Sequence, residues 1–297
     1  MNLDDIRQSY IDDGLDYENA SSRAAQEVVL GLISSSPLAN RVTIKGGIVL
    51  QNLSQDNRRA TQDIDFDFLR YSIADDSIRQ FVDVLNSGGN EFSITIVGQI
   101  KEMKHQDYNG KRVHVHLHDK ANNVIATKLD MGVHKELSFE QAPLYFDLSK
   151  LDQGVTLLAN SREQIVAEKM KSLLRIGAAS TRFKDVFDIY YFINEGKLDE
   201  DIFHKTFEAL ILNDESMPEQ TMSDVHARLS DVLHNKRFAA NLSNAKNNWL
   251  QLPVDDVIDE ILEGLRVLIR SERARRLAAL GGSDPNAAAP PRRQFEA

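Results

Sequence analysis

Residues 63–68 read Asp-Ile-Asp-Phe-Asp-Phe, a strict alternation of carboxylates with large apolar side chains. On a β-strand successive side chains point to opposite faces, so Asp63, Asp65 and Asp67 share one face and Ile64, Phe66 and Phe68 the other. Same-face neighbours lie roughly 6.6–7 Å apart, close enough for two carboxylates to share one hard cation. Three like charges on one face repel unless a cation or solvent relieves them. The stretch therefore predicts a half-buried strand whose polar face holds a metal. A lone Asp-X-Asp is more often an exposed amphipathic strand, so the surroundings decide.

Upstream, Lys-Gly-Gly-Ile-Val-Leu at 45–50 places Gly46 and Gly47 between a predicted strand, Val42–Lys45, and a predicted helix start, Ile48–Leu53. Glycines there let backbone N–H groups approach an anion at the positive end of a helix dipole. Arg59 and Thr61 stand between the glycines and the aspartates, so the order is an anion cradle followed by a metal face. Downstream, Lys-Leu-Asp-Met-Gly at 128–132 puts Asp130 inside an apolar strand pattern. A carboxylate in that setting is costly unless paired or metal-bound, which makes Asp130 the natural third ligand beside Asp63 and Asp65.

Around this centre the pattern is mixed. A helix is predicted over Glu18–Ser36 and another over Asp76–Leu85, with strands over Ile64–Leu69, Phe92–Ile100, Arg112–Leu117 and Val124–Met131, where strands are expected to end. From Ser161 the periodicity is helical, with further helices from about Arg182 and over Asp201–Leu212, Gln220–Leu233 and Val254–Leu268. Ser161 with Gln164 resembles a capping box. The division expected is an α/β domain over 1–155, a helical domain over 156–280, and a Gly/Pro/Ala-rich tail over 281–297 read as disordered. The fold class is α+β.

Composition bounds the rest. The 297 residues contain no cysteine, which excludes a disulfide scaffold, and carry a net charge of −10, which argues against a general nucleic-acid coat. No apolar run is long enough to span a bilayer and the N-terminus is acidic and polar, so no membrane is expected and the cytoplasm is the expected location. Between Arg266 and Arg276, however, five arginines and one glutamate give a local +4. Arg266, Arg270 and Arg273 recur at helical spacing, with Arg275 and Arg276 following, and such a face suits a phosphate backbone. A solvated helix end or an antitoxin-docking surface would use the same residues. His114, His116 and His118 share one strand face, but no closing ligand stands nearby, so a zinc site has little support. Walker, Rossmann and cysteine-nucleophile signatures are missing.

The segments 45–50, 58–68 (RRATQDIDFDF), 128–132, 168–175 (EKMKSLLR) and 182–192 (RFKDVFDIYYF) together resemble the AbiEii/AbiGii toxin family over roughly residues 40–195. The resemblance implies a polymerase-β-like nucleotidyltransferase core with a mixed sheet, a helical C-terminal domain, and a role in toxin–antitoxin systems and phage defence. It implies that Gly46, Gly47, Asp63 and Asp65 hold triphosphate and Mg²⁺ (or Mn²⁺). Lys169 would contact phosphate, and Asp185 and Asp188, beside Lys184 as a further nucleotide-binding candidate, would fall in the last catalytic motif. Gly47 stands where the wider superfamily has Ser, and Ile48 offers no hydroxyl. Read from residues alone, Lys169 sits at an apolar helix edge, Lys171 on the polar side, and the two aspartates could equally form a surface ion-pair cluster.

The reading is a Mg²⁺-dependent enzyme that moves a nucleotide from an NTP to RNA, with tRNA the favoured acceptor and a cognate antitoxin as partner. The same chemistry on a small molecule and a catalytically silent binding module are the alternatives. The near-complete acidic set argues against the silent module.

Overall fold

A computed structural model describes residues 1–89, 91–103, 110–134, 139–151, 153–195, 198–244 and 246–279, with backbone alone for 153 and 272–279. The alternating aspartate segment becomes β2 (Ile64–Phe68), with Ile64, Phe66 and Phe68 fully buried. Around it lie β1 (Val42–Ile44), β3 (Phe92–Met103), β4 (Gly110–Asp119), β5 (Val124–Val133), β6 (Ala142–Leu148) and β7 (Gln153–Ala159). They form one seven-stranded mixed sheet in the order β3-β4-β5-β2-β1-β7-β6. Pairing is parallel for β2 with β5 and for β1 with β7, and antiparallel elsewhere. The chain is thus a mixed α/β protein.

The buried side of β2 meets α4 (Asp75–Asn86): the Phe81 ring lies 5.0 Å from Phe68 and 5.7 Å from Phe66. Each fully buried phenylalanine contributes about 1.5–3 kcal/mol relative to exposure, so this apolar side anchors β2 and leaves its aspartates on the other face. The first unit also contains α1 (Leu3–Asp12), α2 (Tyr17–Ser35) and α3 (Gly47–Ser54). Helix α1 was not predicted, although Leu3, Ile6 and Tyr10 are all buried at helical spacing and Asn2 with Asp5 forms a capping box.

The expectation that strands end near Met131 is incorrect. Strand β6 pairs along its length with β7, and β7 lies beside β1. At the sheet's edge only Phe146 and Leu148 of β6 are buried, so its apolar signal is short. The expected boundary at 155/156 falls inside β7, and the chain divides instead between Ser161 and Arg162. Backbone pairing with β1 and β6 is what keeps 156–159 in the first unit.

From Arg162 the described residues are helical: α5 (Arg162–Ile176), α6 (Phe183–Asn194), α7 (Glu200–Phe207), α8 (Met222–Leu233), α9 (Lys236–Leu242) and α10 (Val254–Ala279). A π-helical turn, Glu208–Leu212, continues α7. Their interior is built on Phe187, Phe192, Phe203, Phe207 and Phe238. The expected tail over 281–297 lies outside the described residues.

Candidate functional site

The glycine pair sits where β1 gives way to α3. Gly46 is the N-cap, at φ 68 and ψ −141, a conformation open essentially to glycine alone. Gly46, the N-cap, has no side chain with which to cap α3. The first-turn N–H groups of a helix have no intrahelical acceptor and sit at the positive end of the dipole; in α3 the residues that carry them, Gly47, Ile48 and Val49, are buried. Close approach explains both glycines. A Cβ on Gly46 would stand 2.7 Å from Asp65 Oδ2, and one on Gly47 would stand 2.6 Å from Thr61 Oγ1. Thr61 is held there by Gln26, whose Nε2 donates to its carbonyl at 2.8 Å. The structure thus brings Gly46, Gly47, Thr61 and Asp65 together. Arg59 ends a short 3-10 turn and is buried, its guanidinium donating to the Ala60 carbonyl at 3.4 Å.

Asp130 on β5 is the direct Cα partner of Asp65 on β2, and Arg112 on β4 is the partner of Asp130. Neighbouring strands run about 4.8 Å apart, so Asp65, Asp130 and Arg112 form one row across the sheet. Arg112 grips Asp130 bidentately, Nε to Oδ1 at 2.7 Å and Nη2 to Oδ2 at 2.5 Å. That hydrogen bonding, reinforced by Asp63 and Asp65, holds the guanidinium firmly in its charged form. Lys128 Nζ lies 2.6 Å from Asp63 Oδ1, and Lys45 Nζ 2.5 Å from Asp67 Oδ1. Asp67 and Lys45 are both buried, so the third aspartate of the alternation belongs to an internal pair.

Three carboxylates therefore adjoin on one face, but they do not converge. Among the described residues no three His, Asp or Glu side chains form a metal cage. Asp63 and Asp130 lean on Lys128 and Arg112 instead. The donor set is nonetheless all hard oxygen, and Gly46 leaves clear the space beside Asp65 that a Cβ would fill. Both features fit Mg²⁺ or Mn²⁺.

Lys169, Lys184, Asp185 and Asp188 lie in the helical unit. Lys169 Nζ on α5 reaches Asp185 Oδ1 at 2.5 Å and Asp188 Oδ2 at 2.8 Å on α6. Trp249 Nε1 donates to Asp188 Oδ1 at 2.9 Å, and Arg182 bonds Asp185. Lys169 is 6%, Asp185 6% and Asp188 0% exposed, so the aspartates are not a surface cluster. Burial by itself would raise the Asp185 carboxyl, but Lys169 and Arg182 outweigh it and hold the group at about 2. Lys184 is half-buried in the first turn of α6. Lys171 does not occupy a polar side, as the helical spacing suggested; it is buried against Asp214. Burial opposes the Asp214 charge, yet its bonds to Lys171 and Ser216 lower it to about 2.

Arg266 and Arg270 are exposed on α10, with Glu263 at 3.1 and 3.8 Å. Arg273, Arg275 and Arg276 continue the same helix, their side chains lying outside the described residues. Sequence reasoning missed Lys45, Arg112, Lys128 and Trp249. Lys45 and Lys128 were visible as the first residues of the glycine and Lys-Leu-Asp segments. Nothing local marked Arg112, whose role depends on the β4–β5 register.

Among the described residues no helix is long and apolar enough to cross a membrane. Two relatives, each Antitoxin VapB32, from Mycobacterium tuberculosis strains CDC 1551 / Oshkosh and ATCC 25618 / H37Rv, are 69% identical to this chain over 32 residues, 11% of it. The chain spans about half the length of these relatives, 49% of each. The family described as Nucleotidyl transferase AbiEii toxin, Type IV TA system, matches residues 28–263, a span that takes in the glycine pair, the acidic row and the Lys169 cluster. With most of its length inside that match, this chain belongs to the AbiEii nucleotidyl transferase toxins of type IV toxin–antitoxin systems.

Proposed function

We propose that this toxin transfers a nucleotide from an NTP to RNA, with tRNA as the preferred acceptor, and so arrests growth. One observation carries the reading: Asp65 packs against Gly46 at the start of α3 and stands beside Asp130 across the parallel β2–β5 pair. An anion cradle and a carboxylate row meet at one point, as a polymerase-β-like active site requires. Asp63, Asp65 and Asp130 would hold Mg²⁺ or Mn²⁺, which supplies charge neutralisation for the triphosphate when bound.

The chain's own groups do the remainder. Gly46, Gly47 and the first-turn amides of α3 receive phosphate oxygens, with Arg59 and Thr61 flanking them. The acceptor hydroxyl oxygen bonds to the α-phosphorus, the bond from that phosphorus to the β-phosphate bridging oxygen breaks, and pyrophosphate leaves while the hydroxyl proton passes to solvent. Asp185 and Asp188 engage Lys169 inside the helical unit and order that unit. The family and the antitoxin name of the VapB32 relatives support control by a cognate antitoxin. NTPs and tRNA place the reaction in the cytoplasm, and phage defence is the setting the resemblance implies.

Incubation with each α-labelled NTP, Mg²⁺ and total RNA, followed by a denaturing gel, tests this. Label on a small RNA with one preferred NTP is expected. Labelling that persists in Asp65→Asn, or no labelled RNA with any NTP, overturns it.

A further inference from the structure

The row of three histidines is absorbed by none of the chemistry above. His114, His116 and His118 lie on β4, paired with Val97, Thr95 and Ser93 of β3 and with Lys128, Ala126 and Val124 of β5. Register places all nine on one face, the face that carries Arg112, Asp130 and Asp65. The opposite face holds Val113, Val115 and Leu117, which are buried in the core. The histidine face is open: His114, Thr95, Val97, Val124 and Ala126 are exposed, and His116 and His118 half-buried.

Its chemistry is distinctive for an acidic chain. None of the nine residues is a carboxylate, although the protein has 45 acids against 35 lysines and arginines. The cations Lys101, Arg112 and Lys128 cluster where the face meets the acidic row. The His116 and His118 rings are 6.1 Å apart, and Thr95 Oγ1 lies 2.8 Å from His118 Nε2, which holds that ring. They form no metal cage among the described residues. Flat ring faces on an open sheet, with apolar neighbours and cations at one end, match single-stranded RNA, whose bases stack and whose phosphates need countercharge.

We propose that the open β3–β4–β5 face is the acceptor platform: the single-stranded end of the RNA stacks on His114, His116 and His118 and runs past Lys101 and Lys128 toward Asp65. This rests on RNA being the acceptor. The test uses the full chain and fluorescence anisotropy with an RNA hairpin bearing a single-stranded 3′ end, alongside NTP binding and the labelling reaction. The combined His114→Ala, His116→Ala and His118→Ala variant should bind the hairpin tenfold or more weakly, with NTP affinity unchanged. The corresponding triple change to Phe should restore binding. If the triple variant melts early, His114→Ala alone, at the exposed end of the row, should still weaken RNA binding severalfold.

An alanine variant that binds RNA like the wild type overturns the platform while Asp65-dependent labelling leaves the function intact. Failure of the phenylalanine variant to restore binding overturns stacking. Normal RNA binding with loss of antitoxin binding reassigns the face to a protein. No RNA labelled by the wild type removes the function and the platform together.

Discussion

The acidic row on the sheet and the Lys169 cluster in the helical unit are built from the same groups, carboxylates set against ammonium and guanidinium. Their surroundings differ most at the Lys128–Asp63 pair. The Lys128 and Asp63 side chains are 33% and 41% exposed, whereas those of Lys169, Asp185 and Asp188 are 7%, 8% and 0% exposed. Water competes for the first pair, so a ligand can replace either partner at modest cost. In the second, removal of one partner strands the others in a low-dielectric interior. The same pairing chemistry thus serves as an exchangeable pair at Lys128–Asp63 and a structural lock in the helical unit, while Arg112–Asp130 and Lys45–Asp67, whose carboxylates are 6% and 5% exposed, stand closer to the lock.

The sharpest way to break that comparison is Asp188→Ala. It leaves Lys169 with one fewer carboxylate and Trp249 Nε1 without its acceptor, and should cost about 3–5 kcal/mol in urea unfolding of the helical unit. Little change in the midpoint would mean the cluster is not a lock. Asp65→Asn should do the reverse: transfer falls by about 10²–10³-fold or more, while the melt holds or rises because repulsion among neighbouring carboxylates is relieved. A folding defect there would erase the distinction between the two regions.

Gly46→Ala sharpens the picture by combining both effects. Its φ of 68 and the 2.7 Å approach to Asp65 should cost about 1–3 kcal/mol in stability and weaken NTP binding. Isothermal titration beside a melt separates the two. The lock also has a pH signature. Asp185 is held at about 2, below its unfolded value of about 3.9, so its contribution is present above pH 4 and is lost as pH falls from about 4 toward 2. A urea midpoint that does not fall over that window more steeply in the wild type than in Asp185→Asn would count against the assignment. The smallest effect belongs to Lys128→Ala, below about 1 kcal/mol because the pair is partly solvated. A cost comparable to that of Asp188→Ala would show the acidic row to be as rigid as the lock.

Much of this was legible locally. The alternation at 63–68 specified a strand with its acids on one face, because a period of two admits no other arrangement once Phe66 and Phe68 are buried, but not that Asp67 on the acidic face is buried as well. The glycine pair announced a strand-to-helix turn without side-chain room, and helical periodicity located α2, α4, α5, α6 and α8. What was lost had weak or misleading local signals. Strand β6 buries few side chains, and α1 lay in a stretch that looks polar by composition. Lys171, on the apparent polar side of α5, is buried because Asp214 comes from elsewhere in the helical unit to meet it.

The amino-acid order by itself determined which residues are acids on a strand and glycines at a helix start, since those depend on neighbours two to four positions away. Only the tertiary structure decided their partners. Asp130 meets Arg112 through the β4–β5 register, Asp65 meets Asp130 through the parallel β2–β5 pairing, and Lys169 meets Asp185 and Asp188 across two helices. Whether a given carboxylate is an exchangeable ligand or a buried lock is set by how much water surrounds the pair, and that is a property of the packed molecule alone.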